Sequence, residues 1–406
     1  MKILWVNANF MHPTNKGGSI RSLGMLRHLH RRHEIHFAAL ADPRLPEGPE
    51  RSGEYCHRAY PFPHRAPDRG SPRFWGQLLG GLVSPLPVAV KRFCVPAFGR
   101  ELEQILRRER FDRAVVDHLM PAVHYPDLPH SLLFQHNVET IIWRRHAEKA
   151  ATAAHRAYFQ LQARRMFAFE RRVCREVGHV VVVSPQDAAW TRELFGVPNV
   201  SEVPTGVDLE YFTPPEEVPK QYDFVFVGSM DWLANIDGVL YFVREILPLI
   251  RRRRPGATLA VVGRKPSPEI QKLADDDAGI TVTGTVPDVR PYLWESRVSI
   301  VPLRIGGGTR LKIYEAMAAR SPLVSTSIGA EGLEYTDGEN IRIADSATEF
   351  AEQCLDLIEH PQDAERLAGA AWAMVESRFT WDKVADVFDG FLDQTPRPRL
   401  GWENLA

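Results

Sequence analysis

Short apolar runs that stop at a glycine, a proline or a polar residue recur along the whole chain, and helical patterning follows nearly every one. Lys2–Asn7, Glu34–Ala41, Ala114–Val116 (before Asp117-His118), Ser131–Phe134 (before Gln135-His136-Asn137) and His179–Val183 read as strands. Ser19–Arg31 and the basic stretch 140–176 read as helices between them. The turn and proline chemistry of Val203-Pro204-Thr205-Gly206-Val207-Asp208 and Pro214-Pro215 marks a connection. After it the pattern restarts with strands at Phe224–Val227, Thr258–Val262, Ile280–Val282, Val298–Pro302 and Leu323–Thr326. Helices are predicted at Ile236–Arg252, Pro268–Ala274, Val289–Glu295 and Arg310–Ala319, and again from about Glu349 onward. Buried strands alternating with helices at this spacing build parallel sheets covered on both faces. The predicted fold class is therefore α/β, with two Rossmann-like doubly wound domains, whose ligands sit at the carboxyl ends of the strands.

Composition narrows the rest. With 406 residues, 44% hydrophobic and 25% charged, the chain is long enough for two cores and is neither disordered nor fibrous. The formal net charge of -1 is a cancellation: 29 Lys+Arg face 18 Asp+Glu in residues 1–200, and 21 face 33 in residues 201–406. Cys56, Cys94, Cys174 and Cys354 are far apart and lack metal-ligand spacing, which fits a reducing, cytoplasmic compartment with no metal required. The apolar run Ile3–Val6 is too short for an export signal. The uncharged run Phe74–Val90 is interrupted by glycine and proline and does not read as a spanning helix. No G-x-G-x-x-G follows the first strand, which argues against an NAD oxidoreductase.

The most informative segment is Arg304-Ile305-Gly306-Gly307-Gly308-Thr309-Arg310-Leu311-Lys312-Ile313-Tyr314-Glu315. Three glycines allow a backbone to approach a ligand, Thr309 is suited to cap the following helix, and the helix start directs N–H groups at an anion. Arg310 and Lys312 sit where cations oppose the helix dipole, a cost that a bound diphosphate would offset. Glu315, one turn beyond Leu311, can accept hydrogen bonds from ribose hydroxyls. Gly17-Gly18 are expected in the loop before the first helix, with amides facing the donor.

This segment, with Phe226-Val227-Gly228-Ser229, Val261-Val262-Gly263, Thr283-Gly284-Thr285-Val286, Pro204-Thr205-Gly206-Val207-Asp208 and the Lys16-Gly17-Gly18 loop, resembles the family 4 glycosyltransferases of GT-B fold. The resemblance implies a retaining, hexosyltransferase-type enzyme with a cleft between two domains. It places an acceptor-side domain at residues 1–203, a nucleotide-sugar domain at 204–378 and a returning C-terminal helix at 379–406. It assigns the donor to Gly17, Gly18, Gly228, Gly263, Gly306, Gly307, Gly308, Thr309, Leu311 and Glu315. Catalytic roles fall to Arg310 and Lys312 on position, and to the strand-end histidines His118 and His136. Two departures stand out: Gly307 occupies the place of the family's first glutamate, and the family's Arg-x4-Lys pair is not evident after Gly228.

A nucleotide-diphosphate sugar is the expected substrate, with a carbohydrate, lipid-linked or small-molecule acceptor and no other cofactor. Residues 140–176 carry nine Lys/Arg against three Glu without a nucleic-acid motif. Together with Phe74–Val90 they suggest a peripheral contact at the inner face of the plasma membrane. A sugar-nucleotide epimerase or hydrolase, and a non-catalytic nucleotide-sugar-binding protein, are the alternative readings.

Overall fold

A computed structural model describes residues 1–14, 17–65, 67–68, 70–72, 76, 80–81, 84–148, 150, 152–305 and 310–400. The chain divides into two compact units. Unit 1 comprises residues 1–204 and the chain from Val384 onward; unit 2 comprises Thr205–Lys383.

Unit 1 is built on a seven-stranded parallel sheet of order β3-β2-β1-β4-β5-β6-β7. Its strands are β1 (Lys2–Asn7), β2 (Glu34–Ala41), β3 (Arg58–Pro63), β4 (Arg113–Asp117), β5 (Leu132–Gln135), β6 (His179–Val182) and β7 (Val200–Glu202). Its helices include α1 (Gly17–Leu29), α2 (Pro96–Arg108), α3 (Glu139–Glu148), α4 (Ala153–Glu176) and α5 (Pro185–Phe195). The central strands read as continuous apolar runs because both sheet faces are covered: Ile3 to Val6 are wholly buried. The strand order reverses between β1, which pairs with β2 on one side, and β4 on the other. Ligands of doubly wound sheets bind beyond the strand ends at such a reversal.

Unit 2 repeats the logic with a six-stranded parallel sheet of order β10-β9-β8-β11-β12-β13. The strands are β8 (Tyr222–Val227), β9 (Leu259–Val262), β10 (Ile280–Val282), β11 (Ser296–Val301), β12 (Leu323–Ser325) and β13 (Arg342–Ile343). Between them run α6 (Leu233–Tyr241), α7 (Leu247–Arg253), α8 (Pro268–Asp276), α9 (Arg290–Trp294) and α10 (Leu311–Ala318), followed by α11 (Ala347–Glu359), α12 (Pro361–Arg378) and α13 (Trp381–Gln394). Here the reversal lies between β8 and β11. Helix α13 begins in unit 2 and ends in unit 1, where Phe388 packs against Trp5 and Phe134. Gly206 lies under Trp381: a Cβ there would fall 2.4 Å from the indole ring. Among the described residues, no helix is long and apolar enough to cross a membrane.

Several elements differ from the sequence reading. The edge strands β3, β7 and β13 were not anticipated; they are short or only partly buried and lack a strong apolar signature. The basic stretch is two helices, with Thr152 accepting the His155 N–H at the start of α4. The helix expected over Ile236–Arg252 is interrupted by a π turn, Phe242–Ile246. Pro248 explains it, having no N–H to give the carbonyl four residues back. Gly17 and Gly18 form the first turn of α1 rather than a preceding loop. The position capping α10 is Arg310, without a side-chain cap bond, so the cap predicted at Thr309 shifts by one residue. Gly306, Gly307, Gly308 and Thr309 lie outside the described residues, as do Lys16 and much of Phe74–Val90.

Candidate active site

In unit 1 the strand ends at the reversal bring three polar residues together. Asn7 ends β1, Asp117 ends β4, and His136 directly follows β5. Asp117 is fully buried and accepts hydrogen bonds from the Trp5 indole (2.9 Å) and the Asn7 amide (2.7 Å) on Oδ2, and from His136 Nε2 (2.7 Å) on Oδ1. On its other side His136 Nδ1 accepts from the Arg21 guanidinium at 3.0 Å. These two bonds fix the tautomer, with the proton on Nε2. Burial, then the neighbouring His118, push His136 down to about 3, so its ring is neutral at physiological pH. Burial alone would raise Asp117, but its donors, His136 first, hold it at about 2. Arg21, pushed down to about 10 by burial, remains a cation.

His118 lies flat on this platform, its ring stacked on His136 with centroids 3.8 Å apart and an interplanar angle of 17°. Its backbone takes the left-handed conformation, φ 68°. Gly18 makes room: a Cβ there would sit 2.7 Å from the His118 ring. The two predicted histidines and Gly18 therefore form one cluster, while Gly17 is exposed at the start of α1. Asp117, His118 and His136 bring one ligand atom each within 4.8 Å of one another. Both ring nitrogens of His136 are nevertheless engaged, one with Asp117 and one with a cation, so the donor set suits a proton network better than a metal.

In unit 2 the strand ends at the reversal are glycines. A Cβ on Gly263, whose φ is +153°, would lie 1.8 Å from the Gly228 carbonyl oxygen, so the two backbones pack without side chains. Lys312, in the first turn of α10, reaches this point. Its Nζ donates to Asn235 Oδ1 at 2.9 Å, stands 4.1 Å from the Phe226 ring centroid and lies 2.7 Å from where a Gly228 Cβ would be. Among the described residues no carboxylate stands within ion-pair distance of it. Burial, then the adjacent Arg310, lower Lys312 to about 7, while burial raises Glu315, one turn along, to about 7 against the pull of Lys312. Arg310 is buried, with its guanidinium 5.7 Å from the Trp232 ring centroid. Leu311, the first residue of α10, is half-buried.

Sequence reasoning missed Asp117, Arg21, Asn235 and Arg264. The last follows Gly263, and its Nε donates to Ser229 Oγ at 2.8 Å beside Asp231. An Arg directly after the Val261-Val262-Gly263 strand end was the available signal for it. Also missed was the buried Glu170, which accepts from the Glu139 and Thr140 backbone N–H groups at 2.8 Å and so caps α3 from a neighbouring helix.

The fold is that of the GT-B glycosyltransferases. It matches the Thermosynechococcus elongatus sucrose-phosphate synthase with a TM-score of 0.69 at 18% identity, covering 97% of this chain and 98% of that one. Anabaena HepE in complex with UDP and glucose matches with a TM-score of 0.65 at 12% identity, covering 97% and 99%. Residues 16–211 match the Glycosyltransferase Family 4 model, and residues 221–360 match Glycosyl transferases group 1. The two parts of the chain thus match two glycosyltransferase family models, the first of them that of family 4. A Klebsiella pneumoniae protein of the cps region, itself uncharacterised, is 25% identical over 39% of this chain, which covers 43% of its length. The GDP-mannose-dependent alpha-(1-6)-phosphatidylinositol monomannoside mannosyltransferase of Mycobacterium tuberculosis is 27% identical over 64% of this chain and 77% of its own.

Proposed function

We propose that the chain transfers a hexose from a nucleotide-diphosphate sugar to an acceptor hydroxyl with retention of anomeric configuration, in glycan or glycoconjugate biosynthesis. The observation that carries this reading is Lys312: an ammonium drawn into the protein beside two strand-end glycines, with an amide oxygen but, among the described residues, no carboxylate as its partner. A diphosphate completes that site. Lys312, Arg310 and the N–H groups at the start of α10 then stabilise the leaving diphosphate as positive charge develops on the sugar, and this reading assigns that work to the chain and not to a metal ion. Glu315 accepts from the ribose. In unit 1, the His136 platform holds His118 to contact the transferred sugar or the acceptor. In a front-side displacement the leaving phosphate itself takes the acceptor proton, so no protein nucleophile is assigned. A cytoplasmic setting, with the acceptor in solution or at the inner membrane face, accords with a donor of this kind.

The test is calorimetric titration with UDP and GDP, the nucleotides named for the similar proteins. Lys312→Met should weaken the preferred nucleotide about ten- to a hundredfold, the range for hydrogen bonds to charged groups. Equal affinity in both proteins removes Lys312 from the site. NMR of the product formed from UDP-glucose or GDP-mannose then reads the anomeric configuration, and an inverted product rejects the retaining mechanism.

A further inference from the structure

Within unit 1, helices α3 and α4 leave a cavity of about 730 Å3, lined by Arg144 and Glu148 from α3 and by Arg156, Gln160, Arg164 and Phe167 from α4. The lining follows from helix geometry. Arg156, Gln160 and Arg164 are spaced by four residues and so share a face of α4, as Arg144 and Glu148 share a face of α3. Where the helices face each other the residues are small and buried, Ala147 and Ala163, which leaves the space open. Arg144 is held over the Phe167 ring, 5.6 Å from its centroid.

The charge is what requires explanation. Among the described residues none of Arg144, Arg156 and Arg164 pairs with a carboxylate, although exposed arginines nearby do, as Arg172 does with Glu176. Three guanidiniums against one Glu148 make the cavity strongly positive, and a guanidinium fork matches phosphate oxygens two at a time. Eight residues separate Arg156 from Arg164, about 12 Å along the helix, more than one phosphate spans.

We propose that this cavity binds a ligand bearing a diphosphate or two neighbouring phosphate groups, held by Arg144, Arg156 and Arg164. The chemistry is shared by a soluble diphosphate ester and by the headgroups of an anionic lipid surface. The site is separate from the donor site of unit 2 and does not depend on that reading.

Titration with inorganic pyrophosphate tests it, because pyrophosphate reports both sites and variants separate them. Arg144→Gln/Arg156→Gln/Arg164→Gln replaces exposed side chains and should leave melting unchanged. It should weaken one class of pyrophosphate binding at least tenfold, and that class should persist in Lys312→Met. Co-sedimentation with phosphatidylglycerol vesicles against phosphatidylcholine vesicles identifies the source. Sedimentation that is lost in the triple variant and competed by pyrophosphate points to lipid headgroups; pyrophosphate binding without sedimentation points to a soluble ligand. If the triple variant binds pyrophosphate and vesicles as the wild type does, or if only Lys312→Met loses pyrophosphate, the proposal is overturned.

Discussion

Because Lys312 loses its proton at about 7 in the empty site, a ligand that favours the ammonium should bind in a pH-dependent way. A diphosphate raises the Lys312 pKa on binding, so affinity is complete below about 7 and falls as pH rises, by up to tenfold per unit while the free amine is neutral and the bound one charged. Glu315 is lifted to about 7 as well and ionises over the same range, which acts in the opposite direction, because the carboxylate is the form that accepts from the ribose and favours the Lys312 ammonium. Dissociation constants for the preferred nucleoside diphosphate between about pH 6 and 9 check this, and Lys312→Arg, charged throughout, should flatten most of the slope. Glu315→Gln keeps the shape and removes the anionic acceptor. It should lower kcat/KM about ten- to a hundredfold while melting without ligand is retained, and unchanged kinetics would take Glu315 out of the site. The glycine-rich run before a helix made Lys312 and Glu315 legible in the sequence. The setting that makes Lys312 unusual was not legible, since Asn235 and Gly228 are 77 and 84 positions away. The same distance hid the His136 platform, whose Arg21 donor is 115 residues distant in the chain.

At the level of elements, Gly18 shows why a glycine pair was visible yet misplaced. Glycine in a helix costs about 0.5–1 kcal/mol relative to alanine, so its presence in the first turn of α1 calls for a local reason. The His118 ring supplies one, lying where a Cβ would be. Gly18→Ala is therefore expected to hold or raise the melting temperature while displacing His118 from its stack and lowering transfer. A variant with normal kinetics would show that the stacked position is dispensable. Strand ends were legible because apolar runs stop abruptly at Asn7, Asp117, Gly228 and Gly263. Helix interruptions were not: the π turn before Pro248 and the break before Thr152 depend on single backbone groups inside otherwise continuous helical patterning.

For the whole molecule, the division of the chain makes unit 1 discontinuous in sequence. Phe388 of α13 is fully buried and lies 5.6 Å from Trp5 and 5.0 Å from Phe134, ring centroid to centroid. Removing everything after Lys383 uncovers those rings. Loss of a buried phenylalanine alone costs about 3–5 kcal/mol, so residues 1–204 by themselves should melt well below the same residues supplied with a peptide of residues 384–400, measured by circular dichroism. Equal melting would mean that the returning segment adds nothing to the core of unit 1. The α/β class was readable from the alternation alone. Unit 2, by contrast, is one uninterrupted stretch whose two ends touch: Val207 bridges Thr380, and its N–H donates to the Phe379 carbonyl at 2.8 Å. A cassette with neighbouring ends can be lifted from one host and set into another without stretching either. Unit 2 is therefore a natural graft, and on the proposed assignment of the donor to it, chimaeras cut beside Thr205 and Lys383 offer a route to exchanging the sugar that is transferred.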